Sequence, residues 1–69
     1  MKIESLYYTE KYRIELKEEK LTDCSEVFDI ILSERETEFA EFVEITTIPA
    51  DDYLNALYRA DMLHKALEI

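Results

Sequence analysis

The chain of 69 residues has no glycine and no tryptophan, and it contains one proline, one cysteine and one histidine. Without glycine it lacks the glycine-rich loops that bind phosphates in nucleotide-binding proteins, and an EF-hand loop, which requires a central glycine, is excluded too. Cys24 has no second cysteine for an internal disulfide, which is typical of a reducing compartment. A zinc site needs three or four converging ligands, and nothing near Cys24 predicts one.

Long hydrophobic runs are also missing. The longest purely aliphatic run is Ile30 to Leu32, and the residues after Met1 become polar at once. A membrane span needs about 20 apolar residues and a signal peptide needs an apolar core of roughly 7 to 15, so the sequence predicts neither. We therefore expect a cytoplasmic protein, in a cell or in an infected host, with no membrane contact.

Positive charge is scarce in one part of the chain only. Residues 23–52 hold ten acids and a single base, Arg35, whereas the segments on either side are balanced. This stretch therefore accounts for the whole net charge of −9. Because concentrated like charge destabilises a compact state, a small domain that tolerates it is expected to use the field to attract a basic partner.

The hydrophobic content is sufficient for folding. Hydrophobic residues make up 48% of the chain and aromatic residues 12%, which is too apolar for the disordered class. The length predicts one small domain, residues 1–69, that buries only about 60% of its unfolded surface. An apolar face that completes its burial in a partner or in a second copy is therefore expected.

The alternation of apolar and polar residues from Leu6 to Leu16 predicts a β-strand. The chain could instead fold back near Thr9 and Glu10, but without glycine a tight two-residue hairpin is disfavoured there, and we interpret the segment as one long strand. On this interpretation Tyr8 and Tyr12 face the core together with Tyr53. The opposite face of the strand, which begins with Tyr7, is expected to be exposed.

The middle of the chain predicts a β-hairpin. Two apolar, β-branched segments, residues 27–32 and 39–48, flank six consecutive polar residues, 33–38. A single long helix over residues 26–48 is the alternative, since several apolar residues share one arc and Asp23 with Glu26 resembles a capping box. The polar run favours the hairpin, because it spans more than one helical turn with nothing to bury.

The C-terminal segment predicts an amphipathic helix. Ile48 and Pro49 end the extended region, and Asp51 and Asp52 provide an N-cap and favourable charge. The inward stripe is formed by Tyr53, Ala56, Leu57, Ala60, Leu63 and Leu67. A second, narrower stripe is an expected oligomer interface and consists of Leu54, Tyr58, Met62 and Ile69.

These elements predict an α+β fold. We expect a three-stranded antiparallel β-meander over about residues 3–48, followed by one C-terminal α-helix, residues 51–68, packed on the sheet.

Residues suited to catalysis are few. His64 falls on the inward arc of the helix, where packing is expected, and no nucleophile motif or HExxH pattern is present. We expect no enzymatic activity, no catalytic residues, no cofactor and no bound metal. Direct nucleic-acid binding is not expected either, because a domain with a pI near 4.4 is repelled by phosphates.

The acids are therefore predicted to form the binding surface for a basic protein. The predicted contact residues are Glu26, Asp29, Glu34, Glu36, Glu38, Glu41, Glu44, Asp51 and Asp52. On a strand, Glu34, Glu36 and Glu38 would project at a repeat of roughly 6.8 Å, about two nucleotides of advance along DNA. Such a row of carboxylates would imitate phosphates in a basic groove.

The predicted function is a non-enzymatic inhibitor that masks a basic, nucleic-acid-handling protein. Phage anti-CRISPR and anti-restriction decoys act in this manner, and the comparison is an analogy of size and charge rather than a shared motif. An antitoxin or immunity protein that neutralises a basic toxin is one alternative. A homo-oligomeric structural module, with a homodimer formed by the second helical stripe, is the other.

Overall fold

In a computed structural model that describes residues 1–68, four antiparallel strands form one sheet and a helix covers one face of it. The strands are β1 (Lys2–Tyr8), β2 (Tyr12–Lys20), β3 (Glu26–Glu34) and β4 (Val43–Ala50), and the helix is α1 (Tyr53–Leu67). The strand order β1-β2-β3-β4 makes the sheet a simple meander. The α+β class and the C-terminal helix on the sheet are confirmed, but the sheet has four strands, not three.

The additional strand arises because the predicted long strand folds back at residues 9–11. Thr9 closes this turn without glycine: its hydroxyl donates to the carbonyl of Tyr12 at 3.1 Å and accepts from the N–H of Tyr12 at 3.0 Å. The backbone N–H of Thr9 also donates to the carbonyl of Tyr12 at 2.8 Å. The interpretation as one strand was wrong because a threonine side chain supplies the hydrogen bonds that close this three-residue turn.

A β-bulge in β1 reverses the expected orientation of two tyrosines. The register passes from Ser5 opposite Glu15 to Tyr7 opposite Ile14, which leaves Leu6 as the additional residue. Tyr7 therefore lies against the helix, while Tyr8 is 62% exposed on the other face of the sheet. The expectation that Tyr8 is buried and Tyr7 exposed was wrong for this reason.

The β2–β3 connection also turns without glycine. Cys24 adopts φ 68°, in the left-handed region that usually favours glycine. The carboxylate of Asp23 accepts hydrogen bonds from the N–H of Ser25 at 3.0 Å and from its hydroxyl at 2.6 Å. These bonds stabilise the turn locally and lower the pKa of Asp23, mainly through the Ser25 hydroxyl.

The predicted hairpin between residues 26 and 48 is confirmed by the pairing of β3 with β4, and the alternative of a long helix is wrong. The connecting loop covers residues 35–42, so it begins and ends later than the polar run. A second bulge lies in β4, where Ile45 is the additional residue opposite the step from Leu32 to Ser33 of β3.

The helix begins where the acids predict it to begin. Asp52 is the N-cap, and its carboxylate accepts from the N–H of Asn55 at 2.7 Å. Among the described residues, no helix is long and apolar enough to cross a membrane.

The core lies between the helix and the two central strands. Ile14, Leu16 and Ile30 are fully buried, and the helix contributes Ala56 and Ala60, which are also fully buried. Because alanine is small, the helix axis can approach the sheet closely at these two positions. The predicted inward stripe is confirmed for Ala56 and Ala60, and Leu57, Leu63 and Leu67 pack at its margin, whereas Tyr53 remains 39% exposed.

This packing predicts that a larger side chain at Ala60 destabilises the fold. Ala60→Leu adds three carbons to a filled core and should lower the free energy of unfolding by about 1 to 3 kcal/mol. Ala66→Leu is the matched control, because Ala66 is exposed on the same helix and the change should cost less than about 0.5 kcal/mol. Urea denaturation followed by circular dichroism measures both, and equal effects would contradict the close approach.

Candidate functional site: the acidic loop around Phe39

The most distinctive surface of the protein is the β3–β4 connection, residues 35–42, which we call the acidic loop. It contains Glu36, Glu38 and Glu41, all exposed, and it is flanked by Glu34 at the end of β3 and Glu44 near the start of β4. The base of the loop is built from residues that hold it to the rest of the sheet.

Arg35 attaches the acidic loop to the β1–β2 turn. Its backbone N–H donates to the carbonyl of Lys11 at 2.9 Å, and its side-chain Nε donates to the carbonyl of Glu10 at 2.5 Å. The guanidinium also lies over the ring of Phe42, 4.3 Å from the centroid, and 5.8 Å from the ring centre of Tyr8. The single base of the acidic segment is therefore used for structure.

Phe42 fixes the other end of the loop. Its ring meets that of Tyr8 edge to face, with centroids 5.5 Å apart, and the guanidinium of Arg13 lies 4.6 Å from its centroid. Arg13 Nε forms an ion pair with Glu15 at 3.1 Å, although the two groups are not aligned for a hydrogen bond. Stacking between two guanidinium groups and an aromatic neighbour keeps Phe42 partly buried on the face opposite the helix.

Phe39, in contrast to Phe42, is 90% exposed. A turn formed by Thr37 presents it: the carbonyl of Thr37 accepts from the N–H of Ala40 at 3.1 Å, and its hydroxyl accepts from the N–H of Phe39 at 3.3 Å. Phe39 was expected to begin an apolar strand, and its exposure in a loop was missed. The only sequence signal for it is the pair of glutamates, Glu38 and Glu41, on either side.

The nine predicted contact residues do not form a single patch. One group, at the loop end of the sheet, comprises Glu34, Glu36, Glu38, Glu41 and Glu44; the other, at the opposite end, comprises Glu26, Asp51 and Asp52; Asp29 lies between them on β3. The length of β3 separates Glu26 from Glu34 by about 27 Å. Within residues 1–68 none of the nine forms an ion pair.

The expected regular spacing of carboxylates was wrong. Glu34 ends β3, whereas Glu36 and Glu38 lie in bends and turns of the acidic loop, so a strand repeat does not apply to them. The loop therefore does not present its carboxylates as a straight row along a strand.

The second helical stripe is exposed as predicted for the residues that the structure describes. Leu54, Tyr58 and Met62 are 75%, 63% and 52% exposed. Ile69, the fourth member of the predicted interface, lies outside the described residues.

Polar aromatic contacts hold the C-terminal half of the helix. The ring of Tyr7 stacks on that of His64 with centroids 4.0 Å apart, and the Tyr12 hydroxyl lies 2.8 Å from His64 Nδ1 and donates to Glu68 at 2.8 Å. The Tyr7 hydroxyl donates to Asp61 at 3.2 Å. His64 is half-buried in this cluster, which agrees with the packing role predicted for it.

Three tyrosines of this face have a raised pKa. The pKa of Tyr7 is raised mainly by partial burial and, to a smaller extent, by its hydrogen bond to the Asp61 carboxylate. The pKa of Tyr12 is raised mainly by partial burial and, to a smaller extent, by its hydrogen bond to the Glu68 carboxylate. A hydrogen bond to Glu4 raises the pKa of Tyr53. A hydrogen bond from Lys65 lowers the pKa of Asp61.

The described residues form no candidate metal site, and the comparisons with known proteins found no match. In the part of the chain that the structure describes, no three histidine, cysteine, aspartate or glutamate side chains are grouped to hold a metal ion. No protein-family model, no curated protein and no solved structure matches the chain. The acidic loop combines an exposed aromatic ring, that of Phe39, with the exposed carboxylates of Glu36, Glu38 and Glu41, none of which forms an ion pair within residues 1–68.

The contacts of Arg35 predict that this residue orders the acidic loop. Arg35→Gln removes the guanidinium that links the loop to Glu10 and Phe42, and the free energy of unfolding should fall by about 1 to 2 kcal/mol. Cleavage by a glutamate-specific protease within residues 36–41 should become faster. Arg59→Gln is the control, because Arg59 is exposed on the helix, away from the loop. Unchanged cleavage in Arg35→Gln would contradict the anchoring role.

The raised tyrosine pKa values predict a loss of stability in alkali. The folded chain holds these phenolic protons more tightly than the unfolded chain, so the contribution is fully present below the ordinary pKa of 10.0 and is lost as pH rises through the raised values. Urea midpoints measured from neutral pH to above pH 10 should fall less for the variant with Tyr7→Phe and Tyr12→Phe than for the wild type. The hydroxyl of Tyr58 bonds no described residue, so the urea midpoints of Tyr58→Phe should change with pH as those of the wild type do.

Proposed function

We propose that this protein is a non-enzymatic binding protein that masks a basic partner with the acidic loop. A nucleic-acid-handling protein is the partner class that fits best, since its phosphate-binding surface is rich in lysine and arginine. Binding there would exclude the nucleic acid, in the manner of phage anti-restriction and anti-CRISPR decoys.

The exposure of Phe39 is the observation that carries the proposal. A fully exposed phenylalanine offers 150–250 Å² or so of surface to a partner, and aromatic residues of this kind act as anchors in protein interfaces. Arg35 and Phe42 hold the base of the loop, so less conformational entropy is lost when Phe39 binds.

The charge around Phe39 supports a basic partner. Glu36, Glu38 and Glu41 lie within three residues of Phe39 in the sequence and are exposed, and among the described residues none of them is neutralised by an ion pair. Such a field increases the rate of encounter with a basic surface and opposes binding of acidic proteins. In this arrangement the Phe39 ring supplies most of the affinity for the partner, and the carboxylates select a basic partner over an acidic one.

Two other functions use features of the same chain. An antitoxin or immunity protein that neutralises a basic toxin would use the same loop, and a toxin gene beside this gene would favour it. A homodimeric structural module would instead use the exposed stripe Leu54, Tyr58 and Met62, with the acids serving only solubility.

Affinity capture from a host lysate at roughly 50 and 300 mM salt, with mass spectrometry of the captured proteins, tests the proposal. A basic nucleic-acid-handling protein should be captured at low salt and released at high salt. Phe39→Ala should weaken its binding at least about tenfold. Reversing Glu36, Glu38 and Glu41 to lysine should abolish binding.

Matched variants separate the loop from general charge effects. Reversing Glu19, Glu26 and Asp51 to lysine changes the net charge equally at the other end of the sheet and should preserve capture, as should Leu54→Ala. If both charge-reversed variants lost capture of the partner equally, the net charge of the chain and not the acidic loop would account for binding. Absence of a captured partner, together with a dimer on sizing that Leu54→Ala disrupts, would favour the structural module.

A further inference from the structure

The outer edge of β4 is an unoccupied position in the sheet. β4 is the last strand in the order β1-β2-β3-β4, and most of its residues are exposed. Both edge strands carry a bulge, at Leu6 in β1 and at Ile45 in β4, and a bulge discourages pairing where it lies. From Thr46 to Ile48, β4 has no such interruption and is β-branched throughout.

The backbone groups that β4 presents outward can be identified from the pairing pattern. The N–H of Arg35 donates to Lys11 on the β2 side, so odd-numbered residues of β3 direct their backbone groups toward β2 and even-numbered ones toward β4. Ile48, opposite Ile30, therefore bonds to β3. The alternate residues of β4, Thr47 and Pro49, face outward.

Pro49 supports this assignment independently. A proline is accommodated in a strand where its nitrogen faces away from the neighbouring strand, because it has no N–H to donate. Two residues earlier, Thr47 then offers an N–H and a C=O to solvent. These groups can bind an extended chain by strand addition.

An apolar wall borders this edge on the helix side. Ile48, Tyr58, Met62 and Leu63 line an open groove between β4 and the helix, and Arg59 lines it as well. Farther along the same strand, Val43, Ile45 and Ala40 line a second depression together with charged residues of the acidic loop and its flank, namely Glu34, Arg35, Glu36 and Glu41. A strand added beside β4 would place alternate side chains into these two positions.

The charge at the two ends of β4 selects the occupant. Glu41 and Glu44 lie at one end and Asp51 and Asp52 at the other. Antiparallel pairing of β4 with a second copy would set each acidic end against the acidic end of the other chain, which is destabilising. A basic chain encounters the opposite sign at both ends.

We propose that the β4 edge binds an extended segment of another protein in which lysine or arginine alternates with aliphatic residues. The segment pairs with Thr47, places its aliphatic side chains against Tyr58 and Met62 and its cationic ones near the terminal acids. This inference goes beyond the masking function, because it assigns the β4 edge, which borders the acidic loop at Val43 and Ile45, and requires neither Phe39 nor an inhibitory role.

A synthetic nine-residue peptide that alternates lysine with valine or isoleucine is a suitable probe, with fluorescence anisotropy as the measurement. Its partner peptide carries N-methyl groups on alternate residues, which removes the strand hydrogen bonds and preserves charge and side chains. The unmodified peptide should bind at least about tenfold more tightly than the methylated one. Equal affinities, or no binding at low salt, would overturn the proposal.

Variants of β4 localise the site. Thr47→Pro removes the outward N–H and should weaken binding at least about tenfold, whereas Thr47→Val, which retains it, should bind as the wild type does. Circular dichroism establishes that both variants are folded. If Thr47→Pro does not fold, hydrogen exchange on the wild type decides: the Thr47 amide should become protected when the peptide binds.

The outcomes also distinguish this surface from the acidic loop. Phe39→Ala should leave peptide binding unchanged, so its loss in that variant would assign the peptide to the loop and overturn the β4 proposal. Protection of the Thr47 amide at high salt without peptide, together with a dimer on sizing, would assign the edge to a second copy and overturn the proposal as well.

Discussion

The close contact of Ala56 and Ala60 with the centre of the sheet determines how this small chain is organised. The two alanines meet Ile14, Leu16 and Ile30, and this layer supplies the fully buried surface of the described residues. A core confined to the two central strands and one helix face leaves both edge strands and the outer side of the helix exposed. The surfaces available for binding follow from this shortage of core, since a small domain has few elements with which to cover them.

The absence of glycine is compensated by side chains that close the turns. Thr9, Asp23 and Thr37 each accept or donate hydrogen bonds within two or three residues of their own position, and Cys24 alone among the described non-glycine residues adopts positive φ. Turns held in this way have fewer alternative conformations than glycine turns. In the acidic loop, Thr37 and Arg35 restrict the conformations of the segment that carries Phe39.

The sequence predicts elements better than it predicts which way residues face. The helix, its cap at Asp52 and the β3–β4 hairpin follow from local periodicity and capping chemistry. The turn at Thr9 was hidden because the alternation continues through it, and the bulge at Leu6 then exchanges the faces of Tyr7 and Tyr8. Phe39 and Phe42 are equivalent in a sequence pattern, and the contacts of Phe42 with Arg13, Arg35 and Tyr8 separate a half-buried ring from an exposed one.

The acidic loop and the β4 edge are adjacent, so one partner would be able to contact both surfaces. The loop ends where β4 begins, so Val43 and Ile45 border both surfaces. A partner segment paired along β4 would leave the strand near the acidic loop, which carries Glu41 and Phe39. Because the second contact would then be intramolecular, two weak interactions could combine into a tighter one without a larger core. In the proposed complex, the partner's own strand and basic residues would complete the sheet edge and the charge balance, which this chain's small core leaves open.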